Sequence, residues 1–384
     1  VVTLGNEERM ETLSCLGPGT VLISSYGLLQ SERDKFSKIN WRIAVLDEAQ
    51  AIKNFHAKRS QAAMKIKADF RLVTTGTPVE NNLNELWTVF RFINPGLLGS
   101  KDQFQRRFGV PIERENDEEA MKRLNNLIKP FLLRRRKDQV LKELPPKTNV
   151  NLRIDLSKEE REFYDQVRMG ILAELNSHNN YEEKNRIRVL AGITKLRLAV
   201  CHPRLIMPDS KLPGSKLEAF LELLSEILEG GHKALVFSQF VKFLNIVRQA
   251  LDELGIEYQY LDGSLSTKER TSAVENFQGG NCPVFLISLK AGGLGLNLTE
   301  ADYVIHLDSW WNPAVETQAS DRAHRLGQEK AVTIYHLLTK NTIEEKIHNL
   351  HQWKCDLADR ILSGNDKLTT FTIDDLIKLL SEDS

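Results

Sequence analysis

Three stretches of this 384-residue chain carry residue types suited to phosphate chemistry. Asp47-Glu48-Ala49-Gln50 directly follows the apolar run Ile43-Ala44-Val45-Leu46, which sets two carboxylates just beyond a strand. There Asp47 can hold Mg2+, often through water, while Glu48 orients or polarises a nucleophilic water. Thr74-Thr75-Gly76-Thr77-Pro78 ends the next apolar run. Its small hydroxyl residues can relay a change at a γ-phosphate through hydrogen bonds, and an ordinary strand-end turn has the same composition. The third stretch, Asp308 to Gln328, predicts a helix with Asn312 as N-cap, Pro313 at the first position and Gly327 as the stop. On that helix Gln318, Arg322 and Arg325 fall at i, i+4 and i+7 and share one face. A glutamine and two rigid guanidiniums on one face can grip several phosphate oxygens. The competing reading is a solvated helix with Asp321 and Arg325 paired at i, i+4.

Two further stretches suit contact with nucleotide or nucleic acid. In Ser288 to Asn297, Gly292, Gly293 and Gly295 let backbone N–H groups approach phosphate oxygens of a nucleotide or a nucleic-acid strand. Trp310-Trp311 falls at a strand end beside the arginine segment. An exposed indole there can wedge against a strand or stack on bases, whereas at least one of the two is expected in the core.

The elements that position these residues follow a sheet pattern in two blocks. In the first, Val21-Leu22-Ile23, Ile43–Leu46 and Arg71–Thr74 read as buried strands alternating with helical segments, the signature of a parallel sheet. From about Asn94 to Gly214 the pattern reads as helices and loops, with Tyr164, Val167 and Ile171 at helical spacing. Asn176 to Asn185 reads as an exposed loop, and Met207 to Ser215 as a linker. The last block predicts strands at Lys233–Phe237, Ile256–Tyr260, Val284–Ile287, Tyr303–Leu307 and Val332–Leu337. Beyond them Ile343, Ile347, Leu350, Leu357 and Ile361 form an apolar stripe on a long helix that packs back onto a lobe. In such sheets ligands bind outside the carboxyl ends of the strands, where the polar residues above fall.

Composition sets bounds but does not choose a partner. Hydrophobic residues make up 41% and charged residues 27%, ordinary globular values. Formal net charge is zero, yet residues 94–150 hold 13 Lys plus Arg against 8 Asp plus Glu, with Arg134, Arg135, Arg136 and Lys137 consecutive. That block suits a phosphate backbone or is a solvated helix end. Cys15, Cys201, Cys282 and Cys355 lie far apart, which suggests neither a zinc site nor a disulfide framework and fits a reducing compartment. No apolar run reaches membrane-spanning length.

Taken in order, VLDEAQ, TGTPVENNLNELW, LVFSQF, LDGS, ISLKAGGLGLNLTEAD, WWNPAVE and QASDRAHRLGQ resemble the superfamily 2 ATPases of the SWI/SNF type, the duplex-DNA translocases of chromatin remodelling and their bacterial relatives. The intervening LIKPFLLRRRKDQVLKELPPK and LRLAVCHP are similar to that family's helical protrusion and linker. The resemblance implies an α/β fold of two RecA-like parallel-sheet lobes with a helical insertion between them. It implies residues 1–93 as the C-terminal part of lobe one and 94–214 as helical protrusions and linker. Lobe two would be 215–341, followed by brace-like helices at 342–384.

The same resemblance implies site roles. Asp47 and Glu48 match the Mg2+ and water-activating carboxylates. Gln50, where the family more often has histidine, is expected with Thr75, Gly76 and Thr77 among the residues that couple nucleotide state to lobe movement. Gln318, Arg322 and Arg325 match the segment whose arginines reach the γ-phosphate, and Gly293 and Gly295 are expected at ATP. Ser24, Ser25, Gly263, Ser288, Gly292 and Trp311 fall where similar proteins meet DNA. The implied ligands are ATP, Mg2+ and double-stranded DNA. The implied cargo is RNA polymerase or another DNA-bound protein. A monomer is expected, without membrane, at the nucleoid of a bacterial cytoplasm or in a eukaryotic nucleus.

One departure is an absence. No G-x-x-x-x-G-K-[ST] occurs, nor any Gly-Lys dipeptide, and that loop is what cradles a triphosphate. With Val1 in place of Met, the chain reads as the C-terminal fragment of a DNA-dependent ATPase, itself inactive. The alternative is a non-catalytic DNA-binding or regulatory scaffold that lacks a P-loop.

Overall fold

The computed structural model describes residues 17–76, 83–115, 117–133, 135, 137–141, 143–176, 182–280, 282–292, 296–310 and 312–349. The chain divides into two compact units, with the division after Leu132.

In the first unit, strands β1 (Asn40–Leu46) and β2 (Lys67–Val73) pair in parallel, from Asn40 opposite Lys67 to Leu46 opposite Val73. Between them runs helix α2 (Lys58–Met64), and helix α1 (Tyr26–Ser31) precedes β1. Leu29, Phe36, Leu46, Ala49, Ile52, Ala62 and Ala63 form the core on one face of the pair. The other face presents Ile43, Val45, Phe70 and Leu72 as exposed side chains. Val21-Leu22-Ile23 forms no strand: it has no ladder partner among the described residues, and Val21 and Ile23 point to solvent. A second core gathers on helices α3 (Leu83–Ile93) and α4 (Glu118–Ile128), where Leu83, Leu86, Trp87 and Phe90 meet Phe104, Phe108 and Leu124.

The second unit is built on a parallel sheet of six strands in the order β3-β8-β7-β4-β6-β5. These are β3 (Lys147–Ile154), β4 (Ala234–Ser238), β5 (Tyr258–Leu261), β6 (Val284–Ser288), β7 (Tyr303–His306) and β8 (Val332–Thr339). The five predicted strands are present. The sixth, β3, lies inside the segment expected to hold only helices and loops, and pairs with β8 from Lys147 opposite Val332 to Ile154 opposite Thr339. Every residue of β4 and β6 is buried, as a parallel sheet covered on both faces requires. Helices α7 (Ser215–Glu229) and α8 (Val241–Glu253) cover one face through Phe220, Leu224, Phe243 and Val247. Helix α9 (Thr267–Gln278) covers the other through Phe277.

Helices α5 (Lys158–Asn176) and α6 (Glu182–Cys201) pack together around Tyr164, Ile171, Val189 and Ile193. Residues 182–185, expected in a loop, begin α6. Ile343 and Ile347 bury against the same core. The rest of the predicted stripe, Leu350, Leu357 and Ile361, lies outside the described residues.

Candidate active site

In the first unit the register of β1 and β2 brings two of the predicted motifs together. Thr74 N–H donates to the Leu46 carbonyl at 2.9 Å and Ala49 N–H donates to the Thr74 carbonyl at 3.1 Å, so the two strand ends continue side by side. Asp47 Oδ1 accepts the Thr74 hydroxyl at 2.5 Å and the Glu48 amide at 2.9 Å. Tyr26, on α1, donates its hydroxyl to the Asp47 carbonyl at 2.7 Å. Burial, then the charges of Asp47 and Glu48, push that phenol up to about 12. It therefore stays a donor at any working pH.

Glu48 is held differently. Its backbone is left-handed, φ 49° and ψ 52°, a conformation uncommon outside glycine and asparagine that turns its side chain away from the strand line. Gln50 Nε2 donates to Glu48 Oε2 at 2.5 Å, and Gln50 Oε1 accepts the Thr75 hydroxyl at 3.1 Å. Glu48, Gln50 and Thr75 thus form one relay, in which glutamine supplies a donor to the acid and an acceptor to the hydroxyl. Gly76 is exposed beyond it, and Thr77 lies outside the described residues. Ser25 caps α1 by accepting the Leu28 amide at 3.2 Å, and Ser24 is exposed beside it. Thr74 belongs to the hydroxyl stretch singled out in the sequence, but its bond to Asp47 was not expected. Tyr26 was missed by motif reasoning, since no spacing in the sequence connects it to Asp47.

These residues fit a nucleotide-borne Mg2+. Both carboxylates are exposed, and among the described residues no group engages Asp47 Oδ2. Among the described residues no cluster of three His, Cys, Asp or Glu forms a cage of its own. Mg2+ suits such a site, since it is commonly bound by one or two carboxylates with water and substrate phosphates.

In the second unit the arginine segment departs from expectation. Asn312 does cap helix α10 (Pro313–Ser320), accepting the Ala314 amide at 3.1 Å, with Pro313 at its first position. The helix stops at Ser320, well before Gly327, so Gln318, Arg322 and Arg325 do not share a helical face. Past Ser320 the ladder tightens, the Arg322 and Ala323 amides donating to Ala319 and Ser320 at 3.1 Å each. Further on, Leu298 N–H takes the Arg322 carbonyl at 3.0 Å and Gln328 Nε2 takes that of Ala323 at 3.1 Å, so these acceptors are not open to residues 326 and 327. Arg322 is buried and Gln318 half-buried. Arg325 is also half-buried, its Nε donating to the Asp321 carbonyl at 3.0 Å.

The other predicted positions are spread over the carboxyl ends of the strands. Gly263 is exposed on the turn after β5, where Arg270 donates to the carbonyls of Leu265, Asp262 and Gly263. Ser288 is buried at the end of β6 opposite Ser238, and Gly292 ends the short helix that follows. Gly293, Gly295 and Trp311 lie outside the described residues. Trp310 is half-buried against the core.

The sheet order reverses at β4, which separates β6 from β7, and a buried polar cluster sits there. Asp308 accepts the Gln239 amide at 3.0 and 3.2 Å and faces Arg197 at 3.9 Å. Arg197 donates to the Ser309 carbonyl and lies 5.1 Å over the Phe240 ring. Glu316 accepts the Trp310 amide at 2.5 Å, and burial pushes its carboxyl up to about 8. His336, 3.6 Å away, is driven down to about 4 by burial and then by His348. Burial outweighs their mutual attraction, so both are neutral near pH 7.

Comparison with known proteins decides the family. The SNF2-related domain matches residues 1–205, and the helicase conserved C-terminal domain matches 215–327. The chain belongs to the SNF2 family. It is 40% identical over 369 residues to the putative ATP-dependent helicase/translocase YwqA of Bacillus subtilis, covering 94% of this chain and 40% of that protein. It is 39% identical over 346 residues to the human SWI/SNF-related matrix-associated actin-dependent regulator of chromatin subfamily A member 1, covering 86% of this chain and 33% of that one. The chain thus spans well under half the length of these relatives. Among solved structures, the Sulfolobus solfataricus SWI2/SNF2 ATPase core in complex with dsDNA matches at a TM-score of 0.52 and 33% identity, over 94% of this chain and 76% of that one. The α/β fold of parallel sheets agrees with two RecA-like lobes. No described helix is long and apolar enough to cross a membrane.

Proposed function

We propose that the whole protein is a DNA-dependent ATPase that translocates on double-stranded DNA and displaces or remodels proteins bound there. The observation that carries this reading is the Glu48–Gln50–Thr75 relay beside Asp47. It joins the acid that orients water to the residue expected to couple nucleotide state to movement. Asp47 would hold Mg2+, aimed by Thr74 and the Glu48 amide, and Glu48 would orient the attacking water. When bound, the metal supplies neutralisation of the charge that develops on phosphoryl oxygens. Arg322 and Arg325 would stabilise the γ-phosphoryl charge, with Gln318 beside them and Gly293 and Gly295 at the nucleotide. Ser24, Ser25, Gly263, Ser288, Gly292 and Trp311 would meet the DNA. The domain boundaries implied by the resemblance, 1–93, 94–214, 215–341 and 342–384, are part of the same reading.

Duplex translocation is tested by giving the full-length protein ATP and two substrates. Displacement of a triplex-forming strand without separation of a plain duplex is the expected result. Strand separation of the duplex would make the protein an unwinding helicase instead.

A further inference from the structure

The turn bearing Arg322 and Arg325 is clasped by a segment far upstream. Lys137 donates to the His324 carbonyl and stands 3.2 Å from Asp321 Oδ1. Lys147, at the start of β3, reaches the same oxygen at 3.5 Å. His324 Nε2 lies 2.8 Å from the Pro145 carbonyl, which can only accept, so the imidazole donates there. Pro146 in turn accepts the Val332 amide at 3.0 Å. The arm from Lys137 to Lys147 therefore holds the turn at Asp321 and at His324. Arg325 is tied to the same point through its bond to the Asp321 carbonyl.

Stability alone does not account for this clasp. The side chains of Lys137 and Asp321 are about a third exposed, and ion pairs so open to water contribute little. The charges are also unbalanced: Lys137 and Lys147 share the single carboxylate of Asp321, and Arg325 bonds the carbonyl of the same residue. Burial and the neighbouring cations hold the Lys137 ammonium below its ordinary range, although Asp321 opposes them. What the arrangement does supply is direction. With α10 ended at Ser320, no helix fixes the arginines: Leu298 and Gln328 hold the turn at the carbonyls of Arg322 and Ala323, and the arm adds the hold at Asp321 and His324.

We propose that Lys137 and Lys147 are positioning residues for Arg325: through Asp321 and the His324 carbonyl they fix the turn from which its guanidinium addresses phosphate. The proposal rests on the phosphate role given to Arg325 above. If the block from Arg134 to Lys137 engages DNA, the same arm offers a direct path from DNA contact to the arginine.

The test uses the full-length protein and its DNA-stimulated ATP turnover, with Lys137→Ala, Lys137→Arg, Asp321→Ala and Arg325→Ala in parallel. Lys137→Ala and Asp321→Ala are each expected to lower kcat about tenfold while KM for ATP changes less than about threefold. Lys137→Arg is expected to restore most of kcat, and amide exchange within 321–327 is expected to quicken in both alanine variants. Parent-like kcat in both alanine variants, with Arg325→Ala inactive, overturns the arm and leaves the enzymatic reading intact. Full turnover by Arg325→Ala overturns both.

Discussion

Gln50→Leu, an apolar side chain one atom shorter, removes both of its bonds, the donor to Glu48 at 2.5 Å and the acceptor for Thr75 at 3.1 Å. A hydrogen bond to a charged group contributes roughly 1.5–3 kcal/mol. Glu48 is exposed, so water competes and the lower end applies. About 1.4 kcal/mol of lost orientation corresponds to about tenfold in rate. Thr75→Val breaks the far bond alone and should cost less in basal turnover, yet lower the stimulation by DNA. Because the three residues form one chain, the double variant should be little worse than Gln50→Leu. The missing increment should be of the order of one bond, about 1 kcal/mol. The assay is steady-state ATP turnover of the full-length protein with and without duplex DNA. Strictly multiplicative losses, or Gln50→Leu turnover within about twofold of the parent, would refute the relay.

Two further expectations concern the second unit's stability. Lys216 and Glu344 form an ion pair with both side chains fully buried, and Glu344 also accepts the Thr339 amide at 3.2 Å. Lys216→Ala should destabilise the unit by roughly 3–5 kcal/mol, whereas Lys216→Met with Glu344→Leu should restore most of it; a urea melt showing the pair worse than the single change would contradict this. Glu316 keeps its proton in the folded state up to about pH 8, against 4.5 when free, so the unfolded chain binds fewer protons and stability falls as pH rises across that window. His336, depressed to about 4 from 6.5, gives the opposite slope between those values, which leaves the Glu316 decline uncompensated above about pH 6.5. Glu316→Gln should therefore gain on the parent by roughly a few kcal/mol by pH 8, read as thermal midpoints against pH; parallel profiles would count against a protonated Glu316.

The parts of the fold legible in the sequence are those that local chemistry determines. Ala234–Phe237 and Val284–Ile287 are unbroken apolar runs because both faces of each strand are covered. Asn312-Pro313 opens its helix because capping needs only the neighbouring amides. The missed β3 did carry a local signal: Val150, Leu152 and Ile154 alternate with Asn149, Asn151 and Arg153, the period-two pattern of a strand, although its single neighbour β8 starts at Val332. The other misses have distant causes. Beyond α10 the Arg322 and Ala323 carbonyls, which a helix reaching Gly327 would need, are taken by Leu298 and Gln328. Asp47, Glu48 and Gln50 stood out as a motif, yet their bonds to Thr74, Thr75 and Tyr26 depend on strand register and on a separate helix. A periodicity of side chains carries no trace of such partners.

The claim that Arg325 and Asp47 serve one hydrolytic reaction is tested most directly by DNA-stimulated ATP turnover of the full-length protein carrying Arg325→Ala or Asp47→Asn. Loss of an arginine that stabilises phosphoryl transfer costs about a thousandfold or more, and each variant should fall to near background while duplex DNA binding stays close to the parent's. Parent-like turnover in either variant would contradict the account.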